Sequence, residues 1–182
     1  MKARGFTLVE TLAAITLIMV AIVAPMALTV QSLSAAYYAR DQITASNLAQ
    51  EGIEAVRAVR DGNVLKSAEG GTANLFDGIP YDGSNFKVDG TQTDPTQIIT
   101  SCIDTGGTCP ALDINNGLYT YAGNPTNFTR TMTAAIVWSD SAGTAQEIRV
   151  VSTVSWQTAA YRTQSVTLTE NLFNWVNPGS GL

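Results

Sequence analysis

Histidine is absent from this chain, and charge is sparse: 14% of its 182 residues are Asp, Glu, Lys or Arg. Without histidine the chain lacks the commonest general base near neutral pH and the commonest metal ligand. It has no G-x-S-x-G elbow and no phosphate-binding glycine loop. Nor does any spacing pair a nucleophile with a base. No enzyme is expected. The net charge of −5 offers no basic footprint for nucleic acid. Cysteine is nearly missing too. Cys102 and Cys109, in SCIDTGGTCP, have neither CxxC redox spacing nor the pairing of a zinc knuckle. If this region lies outside the cytoplasm, a small disulfide loop is the natural reading.

Charge is missing altogether from Thr11 to Ala39. As a helix that stretch is about 43 Å long, whereas a bilayer's hydrocarbon core is crossed in about 30 Å. Lys2 and Arg4 precede it, which puts that end in the cytoplasm and the chain beyond residue 60 outside. A cleaved signal peptide is a poorer fit. Ser34-Ala35-Ala36 has the form of a cleavage site, but the apolar run is far longer than such peptides use. A plain single-pass anchor fits better. One carboxylate, Glu10, stands at the start of this apolar run. It needs a partner, an interfacial position or a function, because a charge in a membrane helix costs about 2.5–3.5 kcal/mol on insertion scales.

Lys2, Arg4, Gly5, then Phe6-Thr7-Leu8-Val9-Glu10 and the apolar run resemble the prepilin leader and N-terminal helix of type IV pilins and pseudopilins. The likeness covers roughly residues 1–60. It implies cleavage between Gly5 and Phe6 by a membrane prepilin peptidase, with methylation of the new amine. It also implies self-association into a helical filament by way of an assembly ATPase and a membrane platform. The protein would lie first in the cytoplasmic membrane and then in an extracellular filament. The resemblance has Glu10 pair with the Phe6 amine of a neighbouring subunit. Glu10 can also approach its own amine, since Phe6 and Glu10 are spaced i, i+4, and both pairings stay open. A minor pilin or pseudopilin of a secretion or DNA-uptake system shares these features. A membrane-anchored extracellular binding module is the rival of another class.

Beyond the apolar run, Ala45, Leu48, Ala49, Gly52, Val56 and Val59 recur at helical spacing. One helix is expected from Phe6 to Arg60, with Asp61-Gly62 as its stop. Residues 6–39 form its apolar half and 40–62 its amphipathic half. Pro25 should kink it, and pilin-family helices often carry a breaker there, where local unwinding on assembly is the functional reading.

Residues 63–125 are rich in Gly, Asn, Asp, Thr and Pro and read as a long connection with a few short strands. The period then becomes two. FTRTMTAAIVW (128–138), EIRVVSTVSW (147–156) and RTQSVTLTENLF (162–173) read as an antiparallel meander within 126–176. The expected fold class is α+β and pilin-like, with the amphipathic half-helix packed on a C-terminal antiparallel sheet. Residues 177–182 read as a loose tail.

Some pseudopilins bind calcium, and Asp77, Asp82, Asp89 and Asp113-Ile-Asn-Asn116 carry suitable oxygens. They lack EF-hand spacing and read as turn residues, so no cofactor or metal is expected. Asn127-Phe128-Thr129 fits a glycosylation sequon but opens a strand. Many Gram-negative major pilins close a C-terminal loop with a disulfide. Here Cys102 and Cys109 precede the meander, so that loop's receptor-binding role is not carried over.

Overall fold

A computed structural model describes residues 5, 7–70, 74–158 and 162–175 of the chain. The chain divides into two compact units, Met1–Asp41 and Gln42–Leu182. One long helix, α1 (Leu8–Ala68), contributes to both.

In the first unit, α1 is apolar on every side. Its apolar stretch is long enough to cross a membrane, and none of that stretch is buried. Three threonine hydroxyls bond back along the helix itself. Thr11 Oγ1 donates to the Leu8 carbonyl, Thr16 to Ala13 and Thr29 to Pro25, at 2.8–2.9 Å. Such back-bonding pairs a hydroxyl within its own helix. Pro25 lies inside α1 and, having no N–H, cannot donate to the Ala21 carbonyl.

In the second unit, the expected stripe is the buried face of α1. Ala45, Leu48, Ala49, Gly52 and Val56 are buried and Val59 is half-buried. The helix does not stop at Asp61-Gly62 but runs on to Ala68. The reason is Asn63, a buried residue whose amide donates to the Leu75 and Asp77 carbonyls at 3.1 and 2.8 Å. Those bonds reward another helical turn, and one interior glycine costs only about 1 kcal/mol.

The remaining elements are β1 (Asp82–Val88), a short α2 (Pro95–Ile98), β2 (Ile99–Ser101), β3 (Ala111–Asn115), β4 (Leu118–Thr120), β5 (Asn124–Ser139), β6 (Ala145–Gln157) and β7 (Thr163–Phe173). All seven strands form one antiparallel sheet. The 63–125 stretch is thus more structured than its composition suggests. Its strands are short and depend on the long β5, against whose edge β1 and β3 pair.

The meander has the expected faces. Phe128, Met132, Ile148, Val150, Val154 and Leu172 point inward and are buried. They meet α1 in two clusters, one around Ile53 and Val56 and the other around Ala45, Leu48 and Ala49. Helix and sheet each bury one apolar face, so each serves as the other's cover. At Gly52 the two come close together. A Cβ built there would lie 2.9 Å from Met132 Sδ and 3.2 Å from Ser152 Oγ.

Candidate functional site

The motif residues sit at the start of α1. Gly5 is exposed and no atom comes within 4 Å of a Cβ built on it. Phe6, the other half of the expected cleavage site, lies outside the described residues. Thr7 caps the helix: the Glu10 N–H donates to its side-chain oxygen at 3.3 Å and to its carbonyl at 3.1 Å. Glu10 is therefore the third helical residue, exposed in the first turn. A carboxylate there is favoured by the helix dipole. This local reason for Glu10 was readable from the Thr-x-x-Glu spacing, which marks a capping box.

Cys102 and Cys109 form a disulfide, and both are buried. The loop they close is fastened to β1 by the Asn85 amide, which donates to the Gly107 carbonyl at 2.7 Å. Three of the carboxylates weighed for calcium, Asp82, Asp89 and Asp113, accept hydrogen bonds within the domain. Asp82 accepts from the Ser84 N–H and Asp113 from the Gly123 N–H, at 2.9 and 3.2 Å. Among the described residues no cluster of three or more His, Cys, Asp or Glu side chains is placed to hold a metal. Asn127 of the sequon donates to the Gln157 carbonyl at 3.1 Å and lies within β5.

One feature was not expected from the sequence. Arg130, on the inner face of β5, is fully buried. Its guanidinium donates to the Leu48 carbonyl of α1 at 2.9 Å, the Val88 carbonyl at 2.5 Å and Glu51 at 3.2 Å. It ties helix, β1 and β5 together. Beside it Asp89 is buried and accepts from Thr91, Gln92 and Thr120. Burial pushes its carboxyl upward, but those hydrogen bonds outweigh it and hold the group below the usual carboxylate range. Burial raises the Tyr121 phenol, with the Arg130 charge opposing it.

Residues 1–24 match the family model described as the prokaryotic N-terminal methylation motif. No curated protein and no solved structure matches the chain. The match gives the chain a prepilin motif of the type IV pilin and pseudopilin kind. With a long N-terminal helix followed by an antiparallel sheet, the architecture is pilin-like. Such a motif goes with a structural protein processed by a prepilin peptidase and handled by membrane machinery.

Proposed function

We propose that this chain is a structural subunit, a pilin, of a type IV pilus-like surface filament. The observation that carries the reading is an apolar helix stretch, none of it buried, that begins within a methylation motif. Apolar area left in water costs about 25 cal/mol per Å², so this surface requires either lipid or other apolar helices. A stored precursor takes the first and a filament core the second.

In this reading the peptidase cuts between Gly5 and Phe6 and removes Lys2 and Arg4. The new amine is largely cationic at neutral pH, with a reference pKa of about 7.7–8.0. Glu10 pairs with the amine of a neighbouring subunit, and the low dielectric of a helix-lined core strengthens the attraction. An incoming subunit with its charges unpaired is costly to bury, so the pair also enforces axial register. Pro25 provides the place where the helix unwinds as subunits stack.

Mass spectrometry of filaments sheared from source cells tests this. An abundant peptide beginning at methylated Phe6 is the expected result. The same peptide at trace level points to a minor pilin or pseudopilin. Intact Met1–Gly5 confined to the membrane fraction refutes processing and leaves an anchored binding module. Glu10→Ala should reduce filament yield by about tenfold or more, as expected when a buried charge loses its partner. Normal filament number in that variant would remove Glu10 from the assembly step.

A further inference from the structure

The outward face of β5, β6 and β7 takes no part in the core. Residues directly opposed in an antiparallel sheet share a face. Trp138, Glu147 and Phe173 are opposed across the three strands, and Ala135, Arg149 and Asn171 form the next outward row. Trp138 is 59% exposed and Phe173 49%. Between and beside these rings, Asn171 donates to Glu147 at 2.6 Å and accepts from Arg149 at 3.3 Å. A carboxylate, an amide and a guanidinium are thus held in fixed orientation next to two bare aromatic rings. Further along the face, Thr133, Val151 and Thr169 make one row and Thr131, Thr153 and Thr167 the next, with no charge in either.

We propose that this face binds a neutral glycan chain. A sugar ring has an apolar C–H side that packs on an exposed aromatic ring. Its hydroxyls each donate and accept, which suits the two acceptor oxygens of Glu147, the mixed ends of Asn171 and the forked donors of Arg149. The charge balance selects the class. The one carboxylate and one guanidinium of the face cancel, in a chain whose net charge is −5. A polyanion meets no excess positive charge here, and a polycation no excess negative charge. Four outward rows at about 6.8 Å spacing form a track about 20 Å long. The site needs only this sheet, so it stands or falls apart from the filament reading.

The test uses the full chain in detergent micelles on an array of neutral glucans, mannans and chitin oligosaccharides, with hyaluronate and heparin beside them. Retention on at least one neutral class, insensitive to salt, is expected. Trp138→Ala should weaken that retention by about tenfold or more. Glu147→Gln, which keeps the shape, should also weaken it. Ile103→Ala, an exposed apolar position on the disulfide loop, should leave it unchanged. Three results overturn the proposal. One is no retention on any neutral glycan. Another is retention only on the acidic glycans, abolished by salt. The third is a Trp138→Ala chain that binds glycans as before but no longer self-associates, which would show that a second copy covers the face.

Discussion

Two glycines in one helix should respond oppositely to the same substitution. Gly52 and Gly62 both lie inside α1. Replacing a helix-interior glycine by alanine gains about 0.8–1.0 kcal/mol from backbone entropy. At Gly62 nothing lies within 4 Å of the added Cβ, so Gly62→Ala should keep that gain. At about 2–4 °C per kcal/mol for a chain of this size, its midpoint should rise by roughly 2–4 °C. At Gly52 the same methyl meets Met132 Sδ at 2.9 Å, Arg130 Cδ at 3.1 Å and Ser152 Oγ at 3.2 Å. All three belong to buried residues. The arginine stem has little room to retreat, because its guanidinium is fixed to carbonyls of α1 and β1. Overpacking of this kind costs about 1–3 kcal/mol, which outweighs the helix gain. The net loss of about 1 kcal/mol should lower the midpoint of Gly52→Ala by about 2–4 °C. Thermal unfolding of the full chain in detergent, followed by near-UV circular dichroism of the buried Trp156, reads both variants. If Gly52→Ala is stabilised as much as Gly62→Ala, helix and sheet do not meet as closely at this point as described.

The Arg130 contacts predict that Arg130→Ala, which orphans the Val88 carbonyl and opens a cavity, costs about 3–5 kcal/mol. Arg130→Met fills the stem's volume and removes a buried charge, so it should cost less than half as much by the same melt. Equal losses would mean that the hydrogen bonds, and not the volume, decide. Asp89 has a folded pKa below its unfolded one, so its contribution is present above the ordinary carboxylate pKa and lost as pH falls through the depressed value. Melting points taken from neutral pH down through about pH 4 and below should therefore fall less steeply in Asp89→Asn than in the parent chain. Parallel curves would exclude Asp89 as a source of acid lability.

The sequence exposed those parts of the fold in which one physical pattern dominates. The apolar half of α1 is readable because its hydrophobicity is uniform on all sides over more than the length a bilayer needs. β6 and β7 are readable because one face is buried and the period is two. Arg130 was not: the period of two puts it on the same face as Phe128 and Met132, but a charge on that face has no reason until its partners are known. Only the Leu48 and Val88 carbonyls, distant in sequence, show why it points inward. β1 to β4 were obscured by their glycine, asparagine and threonine content, since their order depends on the edge of β5 and not on their own propensity. The helix end was misplaced because Asp61-Gly62 is a local stop signal, while Asn63 receives its reason from a loop still to come. Gly5, Phe6 and Glu10 were legible as a motif, and the cap supplied by Thr7 lay in the same letters.

The long strand β5 leaves one edge shared between two lodgers. β1 pairs along its later stretch, at Met132, Thr133 and Ala135, and β3 along its earlier one, at Asn124, Pro125 and Thr129. Each brings a short partner, β2 or β4, and neither partner pairs with the other's host. The pairing of β5 with β6 and of β6 with β7 runs through neither attachment, although Phe86, Val88 and Leu112 bury side chains in the shared core. Exposed loops on that edge can lengthen or shorten without shifting the register of the strands that close on α1, provided the buried residues of β1 and β3 keep their places. Variation in this protein's surface is therefore expected to accumulate between residues 70 and 123, while the helix and the last three strands stay constant in length.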